Sequence, residues 1–397
     1  KLGPPVVDCV TAGTTPCSRE RRTRMGNVFG KSPEPLGFYS HREASTSVAF
    51  APHGDSFATC SDDGTIRRYQ RGEALLEWDE VFDTAPLPSR LNDEDVALKG
   101  VAYGGDNGST LVAVGTNCSV YSEFDVDPRS PSETITGLAM IEFAKFTADG
   151  KRLLIVATRR GKRVCEVINI CVEGKLAGSR DRNSEFTTMD ESLHCATTSN
   201  VRSEHRLRDF IVVAGNSTVS KYFTSGSEEV VGSSHSDIVD VDVAADDSMI
   251  LSVGKYNDSP ACKIWDASSK ERELGTCIAE DITAAESAFV EVTCARFAPS
   301  GNVVVVGFSD GSIRFFDVAG ASRDAGTDGS LRGDRACSQI FTTREAHARR
   351  ITALAFAPQG ECVVSTSADK SVCVHAVPSA CLTDDGNARL LGMACCG

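Results

Sequence analysis

Two sets of residues in this chain have the types that hydroxyl-nucleophile hydrolases use. One is His41, Thr59 and Asp63; the other is His347, Ser365 and Asp369. In such catalysis the imidazole takes the hydroxyl proton, and the carboxylate orients the imidazole. Neither hydroxyl sits in the G-x-S-x-G turn that exposes a nucleophile. The same three types also form buried hydrogen-bond sets that pin a loop, because buried polar groups must be paired. The structural use is the expectation here, and no catalytic residue is assigned.

Metal and phosphate chemistry find less support in the spacing. The seven histidines lie far apart, without an H-x-x-x-H pair, and the sixteen cysteines include no C-x-x-C pair. No G-x-x-x-x-G-K-[ST] loop occurs. Neither a metal nor a cofactor is expected.

The elements that position these residues repeat along the chain. SVAFAPHGDSFATCSDDGTIRRYQ runs from Ser47 to Gln70, VTCARFAPSGNVVVVGFSDGSIRFFDV from Val292 to Val318, and ITALAFAPQGECVVSTSADKSVCVHAV from Ile351 to Val377. Each has an alternating apolar strand ending in Phe-Ala-Pro and a turn with Gly54, Gly301 or Gly360. A second strand follows, then a turn with Asp63, Asp310 or Asp369, then a third strand. Alternation with period two buries a strand face, and Pro, Gly and Asp-Gly interrupt it. Weaker copies lie at Val101–Phe124, Ile141–Asn169, Leu207–Phe223 (with a first strand near Leu193–Thr198) and Ile238–Asp266. One such sheet cannot bury its own faces, so copies must stack.

These units resemble the WD-repeat family. The resemblance implies an all-β fold, a single seven-bladed β-propeller of four-stranded antiparallel blades over residues 40–380. It also implies a buried network in each complete blade: a His, a Ser or Thr, an Asp and a Trp. Blade one offers His41, Thr59 and Asp63 with Tyr69 at the Trp place. Blade five offers Ser252 and Trp265, with His235 ahead of them; blade six offers Asp310. The last blade offers His347, Ser365 and Asp369, with His375 at the Trp place. Residues 1–39 read as a tail, with Val6–Val10 a candidate ring-closing strand, and 381–397 as a second tail. Arg71–Asp95 and Ala319–Arg344 read as surface loops.

A net charge of −14 disfavours direct binding to nucleic acid or to anionic membranes. The basic run Arg19–Arg24 reads as a solvated tail. The first loop mixes acidic and apolar residues: Leu75, Leu76, Glu77, Trp78, Asp79, Glu80, Phe82 and Asp83. It is the candidate partner-binding loop, suited to a protein partner with a basic surface. Scattered cysteines without a visible apolar leader fit a reducing, intracellular setting, cytoplasmic or nuclear. The family resemblance implies a non-enzymatic scaffold that mediates protein–protein interactions in a multiprotein complex.

Two narrower resemblances remain. His235–Trp265, Val292–Val318 and Arg344–Asp369 resemble the exchange factor for the Sar-type GTPase of the COPII coat, which would imply nucleotide exchange in ER-to-Golgi transport. That family's glycine-run ion-binding loop is not visible here. His41–Asn169 resembles the propeller of a replication-fork adaptor that links helicase to polymerase.

Overall fold

A strand that is apolar on both faces needs a neighbour on both sides. Val303-Val304-Val305-Val306 is such a strand, and its alternate residues enter different cores: Val303 and Val305 one, Val304 and Val306 another. Leu153 and Ile155 separate from Leu154 and Val156 in the same way. Each blade is therefore a wall between two cores. The computed structural model describes residues 37–377, apart from stretches of which 73–76, 84–96, 123–132, 177–183, 202–209 and 319–335 are the longest. The chain divides into the units Lys1–Pro33 and Glu34–Gly397.

The described strands follow one plan. β1 (Gly37–Ser40) comes first. Blade one is β2 (Ser45–Phe50), β3 (Ser56–Ser61), β4 (Ile66–Arg71) and β5 (Trp78–Asp83). Blade two is β6 (Leu98–Gly104), β7 (Thr110–Gly115), β8 (Cys118–Ser122) and β9 (Glu133–Ile135). Blade three has β10 (Met140–Phe146), β11 (Arg152–Arg159) and β12 (Lys162–Asn169), then a small hairpin of β13 (Cys171–Val172) and β14 (Lys175–Leu176), then β15 (Ser184–Met189). Blade four is β16 (Cys195–Thr198), β17 (Phe210–Ala214), β18 (Val219–Phe223) and β19 (Glu228–Gly232). Blade five is β20 (Ser236–Val243), β21 (Met249–Tyr256), β22 (Ser259–Asp266) and β23 (Glu273–Ile278). Blade six is β24 (Val292–Phe297), β25 (Val303–Phe308), β26 (Ile313–Asp317) and β27 (Ala336–Thr343). Blade seven is β28 (Ile351–Phe356), β29 (Cys362–Ser367) and β30 (Ser371–Ala376), with β1 as its fourth strand.

Within each blade the paired strands run antiparallel. The outer strands of blades five and six also pair, in parallel, and fuse the two blades into one eight-stranded sheet. The innermost strands β2, β6, β10, β16, β20, β24 and β28 each pack on the next, and β28 packs on β2. The seven apolar clusters correspond one to one with the seven blade boundaries. The fold is all-β, a propeller of seven four-stranded blades, as the repeats predict. Among the described residues no helix is long and apolar enough to cross a membrane.

Three expectations change. The outer place of the last blade is filled by Gly37–Ser40, paired from Gly37↔Val374 to Ser40↔Ser371. Val6–Val10 and Arg19–Arg24 lie outside the described residues, as do 381–397. The stretch read as a loop from Arg71 contains β5, which pairs with β4 as the rim of blade one. The stretch read as a loop from Ala319 contains β27, which pairs with β26. Both strands are charged or polar because one face of an outer strand meets water, so their alternation is weak.

The seam between blades seven and one is held on several levels. Tyr39 Oη donates to the Trp78 carbonyl at 2.6 Å, and Thr352 Oγ1 to the Ser45 carbonyl at 2.6 Å. Tyr39, Tyr69, Phe57 and Trp78 form a continuous aromatic stack, with centroids 4.6, 4.7 and 4.9 Å apart in turn. Arg71 lies 5.1 Å over the Trp78 ring and ion-pairs with Glu361, which is 2% exposed. Arg71→Met would keep the apolar stem and strand the Glu361 carboxylate. It should cost about 3 kcal/mol, read as a lower urea midpoint; an unchanged midpoint would show that the pair does not hold the seam.

Candidate functional site

The polar residues singled out in the sequence come together in the last blade. A carboxylate only accepts, so Ser371 Oγ donates to Asp369 Oδ1, and the Ser371 N–H donates to the same atom at 2.9 Å. The Ser371 oxygen can then accept from His347 Nδ1, 2.5 Å away. His347 Nε2, left as an acceptor, receives a hydrogen bond from the Ser365 hydroxyl at 2.7 Å. Ser365 in turn accepts from His375 Nε2 at 2.8 Å. The other oxygen of Asp369 holds the Ala348 N–H at 2.7 Å. One directed chain thus ties β29, β30 and the loop ahead of β28.

Blade one repeats the arrangement. Thr65 donates to Asp63 from its N–H at 2.9 Å and its hydroxyl at 2.5 Å. His41 Nδ1 stands 3.1 Å from Thr65 Oγ1 and Nε2 2.8 Å from Thr59 Oγ1. The Arg42 N–H binds Asp63 Oδ2 at 2.9 Å. In blade five Trp265 Nε1 donates to Ser252 Oγ at 2.9 Å, so His375 plays in blade seven the part of an indole N–H. His235 lies outside the described residues. In blade six Asp310 holds Ser312 through both N–H and hydroxyl, at 2.9 and 2.5 Å. Thr65, Ser312 and Ser371 were missed in the sequence, although each stands two residues after its aspartate, as Asp-x-[Ser/Thr].

The middle residue of that turn is left-handed: Gly64 at φ 77°, Gly311 at φ 83° and Lys370 at φ 80°. Glycine accepts this conformation freely; lysine does not. Lys370 is partly compensated, since Nζ donates to the Arg42 carbonyl at 2.6 Å and its own carbonyl accepts the His41 N–H at 2.9 Å.

Burial sets the protonation states. It pushes His41 down to about 4 and His375 down to about 3, and lowers His347, with Asp369 pulling the other way. Burial pushes Asp63 and Asp369 up, but the hydrogen bonds each receives outweigh it and hold both carboxyls below their usual value. Ser365, His347 and Asp369 have the connectivity of a hydrolase triad. However, Ser365 is 0% exposed and meets an imidazole on each side, so no substrate atom can reach it.

A cavity of about 830 Å³ runs along the propeller axis, lined by the innermost strand of every blade. Its charges are paired: Arg296 with Asp240 at 2.5 Å, Lys145 with Asp242 at 3.8 Å and Arg163 with Glu142 at 2.7 Å. The partner-binding loop is corrected in part. Trp78 is 3% exposed and belongs to the seam core, while Glu77 just ahead of β5 and Asp79, Glu80 and Val81 within it are exposed. Phe82 and Asp83 end the strand, opposite Arg68 and Arg67. Leu75 and Leu76 lie outside the described residues. Phe289, which the sequence reading passed over, is 84% exposed just ahead of β24, beside exposed Glu286 and Glu291. Lys255 links Glu291 to Asp237 on the same rim, at 3.6 and 3.5 Å.

Comparison with known proteins agrees with the repeats. The family model described as WD domain, G-beta repeat, matches residues 34–70, 275–317 and 337–375. Among solved structures, the WD40 β-propeller domain of Doa1 superposes with a TM-score of 0.56 at 17% identity, covering 88% of this chain and 100% of that one. No curated protein matches the chain.

Two outcomes follow from the network. His41 and His375 bind protons less readily folded than unfolded, so between pH 6.5 and about 4 the unfolded chain holds more protons, and stability falls as pH falls. Urea unfolding should show a loss of a few kcal/mol between pH 7 and pH 5, of the order given by about 1.4 kcal/mol per pH step for each such group; a flat profile would contradict the buried neutral imidazoles. Lys370→Gly should raise stability by about 1 kcal/mol, because relief of the left-handed strain exceeds the loss of an exposed pair. A lower melting temperature would show that the Arg42 link outweighs the strain.

Proposed function

Taking the chain as a WD-repeat protein folded as a β-propeller, we propose that it is a non-enzymatic scaffold that holds protein partners with basic surfaces in a multiprotein complex. The observation that carries this reading is Phe289, a large aromatic side chain 84% exposed, with exposed Glu286 and Glu291 close to it in sequence. An exposed aromatic with carboxylates close by suits an interface anchor with a complementary rim. The sealed Ser365 hydroxyl and the internally paired axial charges leave the outside of the ring as the working surface. The edge strand β5, with Asp79, Glu80 and Val81 exposed and Glu77 just ahead of it, offers a second acidic surface. Of the ten cysteines whose side chains are described, nine are buried and none is bridged, which supports a reducing compartment. No feature of the site favours the nucleotide-exchange or fork-adaptor reading.

Affinity capture of the tagged chain from native lysate tests the proposal, with Phe289→Ser and Val81→Ser in parallel. Stoichiometric partners should fall about tenfold or more with Phe289→Ser and weaken as salt is raised. Retention of all partners by both variants, or binding indifferent to salt, would overturn the assigned surface.

A further inference from the structure

Three residues of blade seven come together although two of them lie far from the third in sequence. β30 alternates its side chains, so Ser371, Cys373 and His375 share one face, and His347 reaches that face from the loop ahead of β28. One donor atom from each of His347, Cys373 and His375 lies within 4.8 Å of the other two. His347 Nδ1 and Cys373 Sγ are 3.9 Å apart, close to the roughly 3.5 Å between donors of a tetrahedral zinc site. We propose that His347, Cys373 and His375 form a binding site for a thiophilic divalent cation of the zinc type.

The donor set suits that ion. Two imidazoles and a thiolate are borderline-to-soft ligands, which select zinc over magnesium or calcium. A fourth position falls to water. The charge also balances: a thiolate and the Asp369 carboxylate, 3.5 Å from the His347 ring, neutralise a dication. Ser365, which holds the Nε2 side of the His347 ring, then acts as the outer group that orients the ligand.

The protons can be followed. Without the ion Cys373 is a thiol, the ordinary form near neutral pH. As the metal–sulfur bond forms, the S–H proton leaves for solvent. The His347 proton moves from Nδ1 to Nε2, where it donates to Ser365, and Nδ1 becomes the ligand. His375 binds through a neutral nitrogen. The balance is one dication taken up and one proton released. Among the described residues the other blades lack the set. Blade five has Trp265 where blade seven has His375, and Lys263 two residues before it where blade seven has Cys373.

The test titrates the full, reduced chain with Co²⁺, whose thiolate charge-transfer absorption reports a Co–S bond, and then displaces it with Zn²⁺. The expected result is one equivalent of bound ion and one proton released, counted from the heat of Zn²⁺ binding in buffers of different ionisation enthalpy. Cys373→Ser should abolish the absorption. His375→Trp should also abolish it while restoring the indole that blade five uses, and so should fold. Cys395→Ser with Cys396→Ser should leave it unchanged. Zn²⁺ should raise the thermal midpoint of the wild type and of neither blade-seven variant. No absorption in the folded wild type, no proton release, persistence in both blade-seven variants, or loss with the 395/396 pair would each overturn the site. Should a blade-seven variant fail to fold, proton release and the midpoint shift of the wild type, with the 395/396 control, decide it alone.

Discussion

A carboxylate can accept hydrogen bonds but cannot donate them, and much of this ring is arranged around that asymmetry. Asp369 forces Ser371 to donate; Ser371 then receives from His347, which receives from Ser365, which receives from His375. Every hydroxyl and ring nitrogen in the chain has its role assigned from one end. Asp63 imposes the same order through Thr65, His41 and Thr59. In each case the carboxylate also grips a backbone N–H of the loop before the innermost strand, at Arg42 or Ala348. The loop that delivers the strand to the axis is thus fixed to the turn behind it. Two blades meet at the seam with their entry loops fixed in this way, and the closing strand β1 runs directly into one of them.

The sequence showed the blades that obey this scheme and hid the parts that do not. Val303–Val306 reads as a strand buried on both faces, and the Asp-x-[Ser/Thr] turns read as turns, because both depend on neighbours in sequence. β5 and β27 were unreadable for a physical reason. An outer strand shows one face to solvent, so Asp79, Glu80 and Val81 look like an acidic loop until the register with β4 is known. Trp78 was misjudged on the same ground. Its burial comes from Phe57 and Phe50 within the blade and from Arg71 above it, none of which its immediate neighbours announce. The gathering of His347 with Cys373 and His375 was hidden because it depends on strand alternation and on where a loop lands. Phe289 was hidden because exposure of one aromatic is a property of the surface, not of a pattern.

Charge is distributed with similar economy. Lys263, Arg314 and Lys221 are almost wholly buried, and each is paired, with Glu273, Asp281 and Glu229 at 2.7, 2.8 and 2.9 Å. The axial cavity holds further pairs. Paired charges cancel, so they leave the net −14 untouched and concentrate its effect on the exposed residues. The interior gains fixed geometry from its ion pairs, while the net negative charge remains for a basic partner to sense at a distance.

The closing strand has a mechanical consequence. β1 and β30 run antiparallel, with Gly37 opposite Val374 and Ser40 opposite Ser371. The chain therefore enters β1 and leaves β30 at the same end of the seam. Tension applied between those two points loads the rungs of this ladder one after another, as in a zipper, rather than all at once in shear. A partner that tugs on both flanking segments would open the ring stepwise from Gly37, whereas blades five and six, riveted by their shared eight-stranded sheet, would move as a single rigid sector.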